Sequence, residues 1–111
     1  MKKIKTFLAI AGVMCSVSLF AQKTTEHIKV DGVCGSCKKN IEKAAKVPGV
    51  ESAVWDKKTK ELALTYDAAK TSSIKVQTSI AHAGYDTEKV KATDDAYNKL
   101  DECCQYDRKK D

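Results

Sequence analysis

The chain has 111 residues, 20 Lys and Arg against 15 Asp and Glu, five Cys and a single Pro, enough for one small domain and too little for a multi-domain enzyme. Its 42% hydrophobic and 32% charged residues suit a folded chain with a modest core better than a disordered one. The formal charge of +5 leans on the first few residues, so it must be read together with them.

Lys2, Lys3 and Lys5 precede the apolar run Phe7–Phe20, and polar Gln22, Lys23, Thr24 and Thr25 follow Ala21. A basic start, an apolar stretch of about 14 residues and a small residue at its end have the form of a secretory signal peptide. The stretch is shorter than the ~20 residues that span a bilayer, so residues 1–21 are expected to be cleaved rather than kept as an anchor. Met14 is bulkier than the residue a lipoprotein signal places before its cysteine, which argues against lipidation of Cys15. Without the three lysines of this segment the charge falls from +5 to +2, which gives no electrostatic case for nucleic acid, a partner that calls for a clustered basic face and often stacking aromatics. Export to a periplasm or the exterior leaves Cys34, Cys37, Cys103 and Cys104 available for disulfides or for a soft metal.

Thr24–Asp31 sets Ile28 and Val30 two apart, the period of a strand with one buried face. A glycine-bearing loop, Gly32–Cys37, follows. Lys38–Lys46 then places Ile41, Ala44 and Ala45 on one helical face, and Pro48 ends that helix at Val47. Val50–Trp55 and Glu61–Tyr66 are rich in strand formers around the polar connector Asp56–Lys60, which predicts a hairpin. Ser72 or Ser73 can cap a second helix with Val76, Ile80 and Ala83 on its apolar face and Gly84 just past its end. Tyr85–Ala92 reads as a short, charged last strand.

Strand, helix, strand, strand, helix, strand is a split βαβ repeat, the ferredoxin-like α+β pattern. It predicts a four-stranded antiparallel sheet with two helices on one face and water on the other, within a unit of residues 22–92. The extension, residues 93–111, offers Thr93 as a cap and two acids in the first turn of a short third helix. Tyr97, Leu100 and Cys104 would share its apolar face, and Asp107–Asp111 is expected to fray.

The chemistry is concentrated in Cys34-Gly-Ser-Cys37, at a strand end and a helix start. This spacing lets two sulfurs share one ion, and a helix N-terminus lowers a thiol pKa toward the thiolate that binds metal. Two thiolates favour Cu(I) and similar soft ions. Zn(II) in a closed site takes about four ligands, and neither His27 nor His82 is spaced to complete such a set. No Ser-His-Asp set, paired carboxylates or phosphate-cradling loop appears, so hydrolytic catalysis has no support.

Residues 24–92 resemble the heavy-metal-associated domain of copper chaperones, copper-pump N-terminal domains and periplasmic mercury-binding proteins. The resemblance rests on Val30-Asp-Gly-Val-Cys34-Gly-Ser-Cys37, the Pro48-Gly-Val50 turn, Tyr66-Asp67 and Ala83-Gly-Tyr85. It implies that Cys34 and Cys37 are the metal ligands, that Tyr85 lies near the metal loop, and that Val33 stands in for a buried Met. The family usually writes Gly-Met-X-Cys-X-X-Cys. Here Gly32-Val33-Cys34 is one residue shorter, which bears on how exposed Cys34 is.

The expected function is therefore an exported, non-enzymatic protein that binds and transfers or sequesters Cu(I), with Hg(II), Ag(I) or Zn(II) as other cargoes. Its expected partner is a metal-transfer protein, and the chain is expected to act as a monomer. The same pair is also similar to the Cys-X-X-Cys of small thiol-disulfide oxidoreductases, although Val33 rather than Trp precedes Cys34 and the single Pro is Pro48. Cys103 and Cys104 are open to three readings: added ligands for the first site, a second soft-metal site, or a disulfide. Lys39, Lys43 and Lys46 form one face of the helix after the site and either meet an acidic partner or simply face solvent.

Overall fold

β1 (Lys23–Lys29) alternates outward and inward positions until Ile28, which is buried. The computed structural model describes residues 23–108, so the proposed signal segment 1–21, with Cys15, lies outside the described residues. Among the described residues no helix is long and apolar enough to cross a membrane.

β2 (Val50–Asp56) and β3 (Glu61–Asp67) form the expected hairpin. Asp56 turns the chain by accepting from the backbone N–H groups of Lys58 and Thr59 at 2.7 and 3.2 Å, an Asx arrangement that a short polar connector favours. β3 is the central strand, antiparallel to both neighbours, in the order β1-β3-β2. Leu62, Leu64 and Tyr66 point to one side, where they meet Ile28, Val30, Ala53 and Trp55. The other side carries Thr25, Thr65, His27 and the exposed Val54, the wet face that one-sided helix cover predicts.

Two helices close the apolar side. α1 (Gly35–Ala45) contributes the buried Cys37, Ile41 and Ala45, and α2 (Ser73–His82) contributes Val76 and Ile80. Ser72 caps α2 by accepting from the Lys75 N–H, and Gly84 follows with φ of +108°, a conformation that glycine adopts without a Cβ penalty. The Ser79 hydroxyl ties the helices together by donating to the Ala44 carbonyl at 2.6 Å.

The fourth strand does not form. Of Tyr85–Ala92 a single antiparallel bridge survives, Val30 with Thr87, beside the 3.0 Å bond from Asp31 N–H to the Asp86 carbonyl. The polar groups of this segment are claimed locally instead. Thr87 N–H donates to the Val90 carbonyl, the Asp86 carboxylate accepts from Ala92 N–H, and the buried Gln77 amide oxygen accepts from the Thr87 hydroxyl and Lys89 N–H. Side chains that bond nearby backbone compete with a ladder, and here they prevail, leaving a three-stranded sheet.

α3 (Asp94–Asn98) is capped by Thr93 as expected, but it is only five residues long. Cys104 is therefore not on its face. It sits in a separate 3-10 turn, Glu102–Cys104. The expectation of fraying from Asp107 also fails at Arg108, whose guanidinium makes bonds of 2.8 and 2.9 Å to the two Asp86 carboxylate oxygens and one of 2.9 Å to Asp94. Residues 109–111 lie outside the described residues.

Candidate metal centre

α1 begins three residues before the expected start. Cys34 is extended, with φ −137° and ψ 179°, and its carbonyl accepts from Lys38 N–H at 3.1 Å, so it is the cap of α1 and Cys37 falls within the first turn. One cysteine thus sits at the rim and the other faces inward: Cys34 is partly exposed and Cys37 fully buried. Their sulfurs are 3.5 Å apart.

The loop before the pair rests on Trp55. The indole N–H donates to the Val30 carbonyl at 3.0 Å, and a Cβ at Gly32 would stand 2.9 Å from the indole ring. Only a residue without a side chain lets the backbone lie this close. Lys60 spans from the other side, its ammonium donating to the Gly32 carbonyl and lying 5.6 Å from the centre of the indole.

The Cys34 thiol is acidified, to a pKa of about 6. The main cause is the Cys37 backbone N–H aimed at its sulfur. Burial opposes the shift, and the Cys37 thiol, the Ser36 N–H and Cys103 reinforce it. These are the unpaired amides of a helix N-terminus, which stabilise a nearby anion. At neutral pH, Cys34 is a thiolate ready for a soft cation.

The extension carries a third sulfur to the same place. Cys104 is fully buried with its Sγ 3.8 Å from that of Cys34, and the sulfurs of Cys34, Cys37 and Cys104 all lie within 4.8 Å of one another. Burial pushes the Cys104 thiol well above the ordinary range, and its contact with Cys37 adds to this. Cys103 is exposed, its sulfur 4.0 Å from that of Cys104, and its backbone carbonyl lies 3.4 Å from the Cys34 sulfur, where it accepts from the thiol when that is protonated. All four of these cysteines are free thiols.

Tyr85 is buried against Cys37 and Cys104, its hydroxyl held by the Asn40 side-chain amide at 3.0 Å, and burial raises its pKa. Val33 is not a buried substitute for Met, since it is 41% exposed. In the shortened loop its neighbour Gly32 occupies the inner position, against Trp55 and Ile41. His27 and His82 are exposed and do not join the sulfur cluster, and Lys39, Lys43 and Lys46 are exposed.

Several residues that build the site carry no periodic signal in the sequence. Tyr106 is buried and uses one hydroxyl twice, accepting from Asp86 N–H at 2.7 Å and donating to the Gly84 carbonyl at 2.9 Å. Its ring stacks on Tyr85 at 6.1 Å and meets Tyr97 edge-on at 5.0 Å. Arg108 lies over Tyr97 and clamps Asp86, whose carboxyl is held below the usual range by that guanidinium and the Ala92 N–H, against its own burial. The signal the sequence does offer is composition: Tyr97, Leu100 and Tyr106 are large apolar or aromatic residues in a strongly charged tail.

Comparison with known proteins places this geometry among relatives. The model of the heavy-metal-associated domain matches residues 27–86. The periplasmic component of mercuric transport from Serratia marcescens is 38% identical over 87 residues, which cover 77% of this chain and 93% of that protein. The counterpart from Pseudomonas fluorescens is 37% identical over the same shares. Among solved structures, the CopZ metallochaperone superposes with a TM-score of 0.56 at 30% identity, over 58% of this chain and 98% of its own. Oxidized MerP from Ralstonia metallidurans CH34 gives 0.56 at 34% identity, over 60% and 94%.

Proposed function

Because the chain belongs to the heavy-metal-associated domain family, we propose that it carries one soft cation, Cu(I), between Cys34 and Cys37 and passes it to a partner protein by ligand exchange. The observation that carries this reading is the sulfur pair itself: a rim thiolate with a pKa of about 6, 3.5 Å from a buried thiol. Two thiolates suit a soft monovalent ion and leave its remaining face open. A thiolate or thioether of the partner can then attack the ion through a three-coordinate intermediate, so cargo moves without being released to solvent. The chain's own part is to hold the sulfurs and present Cys34, which requires no catalytic residue.

A second cargo, Hg(II), is favoured by the mercuric transport relatives, which align over 93% of their length. The periplasmic setting of those relatives also supports export of this chain through residues 1–21. Redox exchange at Cys34 and Cys37 receives less support, since the relatives are described as metal-transport and chaperone proteins.

The test is anaerobic titration of the reduced protein with Cu(I) against a competing chelator, with the complex weighed by native mass spectrometry. One tight equivalent is expected, abolished in the C34S/C37S double variant. Unchanged binding by that variant would refute the proposal. The same titration with Hg(II), with a thiol competitor, ranks the two cargoes.

A further inference from the structure

The matched family region ends at residue 86, yet the structure brings a residue well beyond it into the metal loop. Building on the carrier reading, we infer that Cys104 is a third cargo ligand, delivered by the C-terminal extension to convert the Cys34/Cys37 pair into a three-thiolate site.

The size of the sulfur triangle is the first support. A metal–thiolate distance of about 2.3 Å puts three sulfurs around one ion in a plane about 4.0 Å from each other, whereas two sulfurs in a line stand about 4.6 Å apart. The measured separations are 3.5 Å between Cys34 and Cys37 and 3.8 Å between Cys34 and Cys104, with all three sulfurs inside 4.8 Å. This triangle closes around an ion with shifts of less than about 1 Å.

The second support is that the extension is anchored to hold this position. Tyr106, two residues past Cys104, is buried and bonded to Gly84 and Asp86. The Tyr97 hydroxyl donates to the Tyr106 carbonyl at 2.5 Å, and Arg108 grips Asp86 through two bonds. Gly84 is cut to fit the extension, because a Cβ there would stand 2.8 Å from the Ala96 carbonyl oxygen. A tail that only shielded the loop would not need a buried thiol facing two others. Cys103 points to solvent and stays outside the set.

Binding forms three metal–sulfur bonds, one from the Cys34 thiolate and two that replace the S–H bonds of Cys37 and Cys104, whose two protons leave to solvent. An ion held by three sulfurs is less open to an incoming ligand than one held by two, so the extension favours retention over rapid exchange.

X-ray absorption on the reduced protein loaded with one equivalent of Cu(I), and separately Hg(II), counts the sulfurs directly. Three are expected in the parent and in C103S, and two in C104S, which should still bind one equivalent but about 10-fold or more weakly, the scale on which even outer partners of metal ligands act. Should C104S fold poorly, Arg108→Gln keeps every thiol while loosening the clamp, and it too should weaken binding. Two sulfurs in the parent, unchanged affinity in C104S, or a fourth sulfur lost in C103S would overturn the inference while leaving the Cys34/Cys37 carrier standing. Loss of binding is expected in C34S/C37S; its absence would overturn both.

Discussion

Tyr106→Phe removes one oxygen from a buried site, and the consequence can be worked from its partners. The hydroxyl accepts from Asp86 N–H at 2.7 Å and donates to the Gly84 carbonyl at 2.9 Å, both out of reach of water. The substitution keeps the ring stacked on Tyr85 and edge-on to Tyr97, so little apolar contact is lost, but it takes the partner from two buried backbone groups. Leaving a buried donor or acceptor unsatisfied costs about 1–3 kcal/mol, so a loss of roughly 2 kcal/mol is expected. For a domain of this size that corresponds to a fall in Tm of about 8–16 °C. Tyr97→Phe is the control: its hydroxyl has one partner and the residue is only half-buried, so water can replace the bond and the loss should stay below about 1 kcal/mol. Urea unfolding of the reduced, metal-free protein reports both. The single Trp, Trp55, is buried and gives the fluorescence signal. The midpoint should move while the slope does not, since the area exposed on unfolding is unchanged. A Tyr106→Phe loss under about 0.5 kcal/mol, or one no larger than that of Tyr97→Phe, would refute the claim that the extension is an integral part of the fold.

Two further outcomes follow from the loop. Labelling of Cys34 by iodoacetamide, mapped by mass spectrometry in the reduced protein, should reach half its plateau rate near pH 6, and a midpoint in the ordinary thiol range would remove the role given to the Cys37 N–H. The linked stability has a definite sign: the folded thiol is deprotonated where the unfolded one is not, so its contribution is full above the unfolded pKa and is lost as pH falls through about 6. Gly32→Ala should destabilise by about 1–3 kcal/mol through overpacking, because the new methyl meets the Trp55 ring at 2.9 Å and Ile41 at 3.1 Å. Metal affinity should fall with it, and a variant as stable as the parent would show that the loop does not rest on Trp55.

Much of this molecule is local in origin and therefore legible from the chain. The alternation of Leu62, Leu64 and Tyr66, the polar hairpin connector, the Ser72 and Thr93 caps and the glycine after α2 are choices made within a few residues. The three-residue spacing of Cys34 and Cys37 likewise brings two sulfurs close together once the chain turns into a helix there. What failed depended on contacts that periodicity does not report. Tyr85–Ala92 carries strand-compatible residues, but Gln77, ten positions before Thr87, and the Asp86 carboxylate take its hydrogen bonds. The resemblance puts Val33 inside, but in this loop Val33 is exposed and Gly32 is the inward residue, against Trp55 and Ile41.

The extension marks the boundary most sharply. Sequence by itself determined that two cysteines lie together near its end, and left open whether they join the first pair, hold a second ion or form a disulfide. Adjacent side chains in a 3-10 turn point in different directions, so one of them had to face the domain, and nothing local chooses which. That choice was made by Tyr106 and Arg108 docking on Gly84 and Asp86, contacts that span about twenty residues of chain and bury Cys104 beside Cys34 and Cys37 while Cys103 stays in water. Periodicity reports which face of an element is apolar; it does not report what that face will meet, because burial and hydrogen bonding between remote segments are properties of the packed molecule alone.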